Sequence, residues 1–341
     1  MSPAPPLRWG LVGASNIAAR WVLPAIRAGG DSVEFVYSST ATWASEFAAA
    51  NGIAHSTGDF ARACEWPDVD AVFISGVNER HAPQTIALAA AGKHVLCEKP
   101  MALTVADARE MIDAAERHGV VLAINHHLPG ADTLRTIRGL VSSGSLGTPL
   151  ALRLSFTIMI SERPPAWRLH DPVGGGAILD LTTHSMSVTQ AILGTTATEA
   201  TAIAVRQGPW ATPGDGGPPD SVMAALRFGD IPVQTHDAYT VEHCPTTVEV
   251  IGTEACVIAA GVLAQEPAGT LWRVVGSEMT EIEVPDRRDL YEIVLEGFRS
   301  AIDGTGRPTV DGTDGLSALA GALAVAESAN TGRTVTVADV A

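Results

Sequence analysis

Three side chains in this 341-residue chain have the types and spacing for proton transfer beside a polarised oxygen: Lys99, Asp180 and His184. Asp180 and His184 stand four residues apart in the run GGGAILDLTTHSMSVTQAILG, so on a helix they share one face. Gly174, Gly175 and Gly176 precede them and allow the backbone to bend close to a ligand. Lys99 closes HVLCEKP, which reads as a strand ending at Pro100, and open α/β sheets hold ligands at the carboxyl ends of their parallel strands. Hydride reduction of a ketone leaves an alkoxide that needs a proton. A histidinium or a lysine of lowered pKa supplies one near neutral pH, and a lysine ammonium also stabilises the developing negative charge. In this reading His184 is the proton donor in reduction and the base in oxidation. Lys99 polarises the oxygen, and Asp180 orients both substrate and His184. Taken by themselves, Asp180 and His184 also fit a surface ion pair or a helix cap.

A hydride source has to accompany this chemistry, and the N-terminal run RWGLVGASNIAARW is the candidate place to hold it. A dinucleotide fingerprint puts G-x-G-x-x-G at such a strand-to-helix turn; this chain keeps Gly13 and has Ser15 and Ala18 at the other two positions. Only the first depends heavily on glycine, because it makes the sharp turn; a serine hydroxyl can donate to a phosphate, and alanine still packs closely. Gly13, Ala14, Ser15, Asn16 and Ile17 are therefore the candidate pyrophosphate contacts, at a helix N-terminus whose free N–H groups favour anions. The same residues also suit a plain strand-to-helix turn without a ligand. The second strand ends in VYSSTATWAS, with no acid to hold a ribose diol. Ser38, Ser39 and Thr40 accept a 2′-phosphate better than a carboxylate would, which favours NADP(H) over NAD(H). Trp43 suits either stacking on adenine or packing in the core. A nicotinamide supplies or removes the hydride itself, so neither a metal nor a covalent intermediate is expected.

Further candidates surround these. Asn78 and His81 follow the apolar run DAVFIS and suit contacts to the nicotinamide ribose, although His81 also fits the opening of a helix. Glu98 combines cofactor proximity with a structural role. His126 and His127 follow the last predicted strand of the first domain and either line the substrate or pack. Trp167 and Arg168 lie just ahead of the glycine run, where Arg168 bonds either substrate hydroxyls or a loop carbonyl. His236 and His243 have no carboxylate at a metal-like spacing and read as structural.

The elements that must position these groups follow from periodicity and punctuation. Strands are predicted at 9–12, 33–37, 70–75, 94–100 and 120–125, alternating with helices at 17–28, 42–51, 81–93 and 104–119. The last has Thr104 as N-cap, Asp107 at the third position and Gly119 as stop. Such alternation means parallel strands joined by crossover helices, a Rossmann dinucleotide-binding domain over residues 1–124. Beyond it, a helix near 132–142 leads into β-rich runs at 149–160, 198–207, 221–229, 231–240, 246–253 and 255–260, with an embedded helix at 176–193 and late helices at 289–301 and 313–330. Residues 125–341 thus read as an α+β domain with a large, mostly antiparallel open sheet. GPWATPGDGGPP, residues 208–219, reads as a mobile loop.

Composition narrows the partners. Apolar residues make up 46% and charged residues 18%, which suits packed cores rather than disorder or a coiled coil. A net charge of −16 argues against nucleic acid or an anionic membrane, while an anionic ligand still suits backbone N–H groups. The four cysteines show no C-x-x-C spacing, no leader pattern opens the chain and no run is long enough to span a bilayer. A reduced, cytoplasmic chain is the expectation.

NERHAPQTIALAAAGKHVLCEKP, at 78–100, together with the glycine run and D-x-x-x-H at 174–194, resembles the Gfo/Idh/MocA family of oxidoreductases over essentially the whole chain. The resemblance implies a Rossmann domain followed by an α/β domain with an open sheet, acting on sugars, polyols and related alcohols. With Glu98-Lys99-Pro100 also present, it favours catalysis by Lys99, Asp180 and His184 over the ion pair. It also implies a sugar or polyol substrate and a homo-oligomer, dimer or tetramer, formed through the sheet. Oxidation of an inositol, an aldose or a trans-dihydrodiol is the competing enzymatic reading. A cofactor-binding regulator without turnover is the reading from another class, and retention of all three catalytic candidates speaks against it.

Overall fold

A computed structural model describes residues 5–160, 167–211 and 216–340. The chain divides into two compact units, Met1–His127 with Asp289–Leu316, and Leu128–Arg288 with Ser317–Ala341. The boundary read at 124/125 assigned 289–316 to the second half; in the structure that segment packs with the first.

The first unit holds β1 (Arg8–Val12), β2 (Ser32–Tyr37), β3 (His55–Thr57), β4 (Ala71–Ile74), β5 (His94–Cys97) and β6 (Leu122–Ile124), all parallel, in the order β3-β2-β1-β4-β5-β6. The order runs outward from β1 in both directions, so β1 and β4 flank the switch point where such sheets bind ligands. Leu11, Val12, Phe73, Ile74, Val95 and Leu96 are buried along the sheet, as strands covered on both faces require. The helix Val105–His118 begins as its sequence predicts: Thr104 Oγ1 accepts from Asp107 N at 3.0 Å, and Gly119 ends it at φ +64°. β5 stops at Cys97 rather than running to Pro100, whose missing N–H cannot extend a ladder.

The helix Leu290–Ile302 belongs to this unit for physical reasons. Asp289 caps it, accepting from Tyr291 N at 2.8 Å and Glu292 N at 3.0 Å. Its Phe298 packs on Trp9 with ring centroids 5.4 Å apart, and Tyr291 stacks on Trp21 at 5.6 Å. Asp31 ties the pair together: it accepts from Trp9 Nε1 at 3.0 Å and Leu7 N at 2.9 Å, and from the Arg299 guanidinium.

The second unit is built on β7 (Pro149–Thr157), β8 (Ala197–Val205), β9 (Ser221–Phe228), β10 (Ile231–Ala238), β11 (Thr247–Gly252), β12 (Cys256–Ala260), β13 (Thr270–Val275), β14 (Glu278–Ile282) and β15 (Val335–Thr336). They form a nine-stranded sheet, β14-β13-β12-β11-β7-β10-β9-β8-β15, antiparallel except where β7 meets β10. Leu152, Leu154, Val222, Ala224, Val233, Val248 and Val257 alternate on the buried face. Ile203, 74% exposed, and Met223, 52% exposed, stand opposite each other in the β8–β9 register on the other face. β3, β13, β14 and β15 were not predicted. Of the loop read as mobile, residues 212–215 lie outside the described residues, while Gly208 and Trp210 are anchored: Gly208 N and Trp210 Nε1 donate to Asp220 Oδ2 at 2.8 and 3.0 Å. Among the described residues no helix is long and apolar enough to cross a membrane.

Candidate active site

The residues singled out by sequence fall into two groups, one in each unit. In the first, Gly13 leaves β1 at φ +127°, a conformation that favours glycine, and a Cβ there would come within 2.7 Å of Gly76 N and Ser75 C. The turn is thus a cradle closed from below by the loop after β4. Gly13 N donates to Tyr37 O at 2.9 Å, which fixes it against the end of β2. Ser15 differs from its predicted use as a phosphate donor: its hydroxyl donates to Ser75 Oγ at 2.8 Å and accepts from Ala18 N at 3.2 Å. Ser15 therefore caps the helix, which leaves the backbone N–H groups of Ala14, Asn16 and Ile17 as those that could meet an anion here. The helix opens in a wide π turn, Ala18–Val22, before Leu23–Ala28.

Trp43 is 55% exposed, which removes the core reading, and its Nε1 donates to Ala14 O at 3.0 Å. The indole therefore stands beside the Gly13 turn with much of its surface in solvent. Ser39 and Thr40 are exposed and Ser38 is half-buried; Thr40 precedes the helix Ala41–Asn51 without capping it through its side chain. This cradle, with a helix N-terminus on one side and uncharged hydroxyls on the other, fits a dinucleotide.

Around Lys99 the structure gathers Glu98, His81, His126 and His127. Glu98 Oε2 accepts from Lys99 N at 3.1 Å and Oε1 from Asn125 Nδ2 at 2.6 Å, so its carboxylate braces the loop. Asn78 is buried in the turn Asn78–Arg80, and His81 is buried at the start of the helix His81–Ala90. His81 was read as a ribose contact or as the opening of a helix; it opens that helix, and its ring faces Pro100 O and Gly76 O. His126 and His127 are both buried, and burial, with the Lys99 charge adding, pushes both down to about 3. They stay neutral at physiological pH. His127 stacks on Tyr291 with centroids 5.0 Å apart.

In the second unit, Asp180 lies in a second π turn, Ile178–Thr182, and His184 in the helix Thr183–Leu193 that continues it. π turns inside helices are frequent at functional sites. Both side chains are buried, which removes the reading of a surface ion pair. Asp180 Oδ2 accepts from Arg168 Nε at 2.8 Å and from Tyr239 Oη at 2.6 Å. The Arg168 guanidinium also lies over the Trp167 ring, 4.6 Å from its centroid. Tyr239, wholly buried, is held protonated by that burial and by the Asp180 charge, so it remains a donor. Sequence reasoning missed it; the alternation of IPVQTHDAYT that places Asp237 inward was the available signal, and Tyr239 follows the strand's end.

The helix is fastened to the sheet by Asp237 on β10, which accepts from Thr182 Oγ1 at 2.8 Å and Ser185 Oγ at 2.5 Å. Burial pushes this carboxyl up to about 7, against the pull of the two hydroxyls. Phe156 on β7 sits against the His184 ring at 5.9 Å. The glycine run serves packing: a Cβ at Gly175 would come within 2.6 Å of Asp171 O, and one at Gly176 within 2.8 Å of Pro218 Cβ. His236 is half-buried on β10, and His243 is exposed beside Glu242. Among the described residues no group of three His, Cys, Asp or Glu side chains is placed to hold a metal.

Comparison with known proteins agrees across both units. The model of the GFO_IDH_MocA oxidoreductase family, with an NAD-binding Rossmann fold, matches residues 7–126, and that of the GFO/IDH/MocA C-terminal domain matches 134–258. The 1,5-anhydro-D-fructose reductase of Ensifer adhaerens is 42% identical over 329 residues, 96% of this chain and 97% of that protein. The myo-inositol 2-dehydrogenase of Thermotoga maritima is 29% identical over 81% of this chain and 82% of its own. Among solved structures, the aldose-aldose oxidoreductase of Caulobacter crescentus, complexed with glycerol, superposes with a TM-score of 0.86 at 26% identity, covering 97% of this chain and 100% of that one.

Proposed function

We propose, from the premise that this chain belongs to the GFO/IDH/MocA oxidoreductase family, that it reduces the ketone of a sugar, 1,5-anhydro-D-fructose being the first candidate, with NADPH as the preferred reductant. The observation that carries the reading is the 42% identity to a 1,5-anhydro-D-fructose reductase, which extends over 96% of the chain and so over every proposed catalytic residue. The bound nicotinamide would supply hydride in reduction and accept it in oxidation. The cradle at Gly13 and the helix N-terminus at Ala14 to Ile17 would hold its pyrophosphate, and Ser38, Ser39 and Thr40 the adenosine ribose with its 2′-phosphate. Lys99 stabilises negative charge on the substrate oxygen. His184 donates the proton to that oxygen and removes it in the reverse direction. Asp180, held by Arg168 and Tyr239, orients His184 and accepts from a substrate hydroxyl. Neutral His126 and His127 leave the Lys99 charge undiluted by further cations.

The test is a screen of NADPH and NADH oxidation against 1,5-anhydro-D-fructose and a panel of ketoses, paired with fluorescence titration of both nucleotides. Turnover of 1,5-anhydro-D-fructose with tighter NADPH binding is the expected result. A marked preference for NADH would mean that residues 38–40 hold no phosphate. Oxidation of myo-inositol is the second reading, favoured by the Thermotoga maritima relative, and belongs in the same screen. We further place the chain in the cytoplasm, on its cysteine pattern, and as a homo-oligomer through the sheet face that exposes Ile203 and Met223. Light scattering under native conditions reads the oligomeric state directly.

A further inference from the structure

His81 opens the helix His81–Ala90, is 1% exposed, and has a backbone carbonyl at each ring nitrogen: Pro100 O lies 2.8 Å from Nδ1 and Gly76 O 3.3 Å from Nε2. Burial holds the ring neutral, so it carries one proton, and the shorter contact makes Nδ1–H the donor to Pro100. The two carbonyls come from different loops. Gly76 follows β4, and its N lies against Gly13, where an added Cβ would come within 2.7 Å of it. Pro100 follows Lys99 directly. The ring therefore bonds the residue after the proposed catalytic amine to the start of this helix, while its unprotonated Nε2 lies beside the Gly76 carbonyl without donating to it. The other support of this loop, Glu98 between Lys99 N and Asn125 Nδ2, reaches it from the β6 side.

We propose that His81 is a positioning residue: its hydrogen bond to Pro100 O holds the Glu98-Lys99-Pro100 segment to the start of the helix His81–Ala90 and thereby aims the Lys99 ammonium. In this role it acts through Lys99. The proposal rests on the reading of Lys99 as catalytic, and the two are separable by experiment. His81→Leu removes the donor, whereas His81→Asn keeps an amide N–H near the Nδ1 position. Each is made alone and with Lys99→Ala, with NADPH and 1,5-anhydro-D-fructose, and the crystal structure of His81→Leu is determined. His81→Leu is expected to lower kcat by about 30-fold while the Kd for NADPH changes by less than about 3-fold, and His81→Asn to recover most of the loss. In the Lys99→Ala background His81→Leu is expected to cost less than about 3-fold more, because the group being aimed is gone. In the crystal the Lys99 amine is expected to be displaced or spread over several positions.

A full multiplicative loss in the Lys99→Ala background, a loss carried by the NADPH Kd, or Lys99 unmoved in the crystal would each overturn the proposal. Should Lys99→Ala itself keep wild-type turnover, the catalytic reading fails, and the position of Lys99 in the crystal still decides what His81 does. If His81→Leu does not fold, His81→Gln replaces it, since its amide reaches the Nε2 position without serving Pro100.

Discussion

Asp180 shows how little of a proposed catalytic carboxylate is left to chance. Two donors, the Arg168 guanidinium and the Tyr239 hydroxyl, converge on its Oδ2. Arg168 is 41% exposed, so water screens its share, whereas Tyr239 is wholly buried and its bond is the stronger constraint. A buried hydrogen bond to a charged group contributes about 1.5–3 kcal/mol. Tyr239→Phe is therefore expected to lower kcat by about 10-fold or more and to reduce thermal stability, with little change in nucleotide affinity; steady-state kinetics and a melting curve check both. His126 and His127 argue differently. Both are buried and neutral near the Lys99 charge, so neither places a second cation beside it.

At the scale of elements, the proposed cofactor turn depends on one glycine. Gly13→Ala would place a methyl against backbone rather than against a movable side chain, at a φ that alanine rarely adopts. The expected result is a loss of nucleotide affinity of about 10-fold or more, with a lowered melting temperature, read by fluorescence titration and calorimetry. Much of this level was legible in the residues. Thr104, Asp107 and Gly119 marked both ends of a helix, and the alternation of the β-rich half marked six of its strands. Three kinds of feature were not legible. Ser15 and Ser75 are sixty residues apart in sequence, so no local pattern announces their bond. Asp289 begins a helix readable from its cap, but its packing on Trp9 and Trp21 depends on long-range aromatic contacts. β13 and β14 carry Arg273, Thr280 and Glu281 among their apolar residues, which blurs the alternation that β7 to β10 display. In the candidate site, the spacing of Asp180 and His184 was readable, while Asp237, which fastens their helix, and Tyr239, which bonds Asp180, come from β10 and the residue just past it.

Across the whole molecule, buried titratable groups set the pH response. His126 and His127 have folded pKa values near 3, below the ordinary 6.5, so the unfolded chain binds more protons and stability is lost as pH falls from about 6.5 toward 3. Burial moves His81 in the same direction. Asp237 has the opposite sign: its folded pKa of about 7 lies above 3.8, so its protonated form favours the fold and stability falls as pH rises through that interval. The histidines outnumber it, so melting temperature is expected to rise from pH 4 to about pH 6.5 and then level or decline. Asp237→Asn is expected to steepen that rise and to remove the decline near pH 7; calorimetry across the range checks it. A net charge of −16 makes the nucleotide turn work against the field of the whole chain, so salt is expected to strengthen NADPH binding where simple screening would be indifferent for a neutral protein.

The account turns on Lys99 and His184 each taking part in the proposed reduction. Single-turnover oxidation of enzyme-bound NADPH by 1,5-anhydro-D-fructose, in Lys99→Ala, His184→Ala and the double variant, tests this most directly. Each single variant is predicted to bind NADPH normally and to lose about 100-fold or more in rate, with the double variant little worse than either. Wild-type rates in either single variant would contradict it.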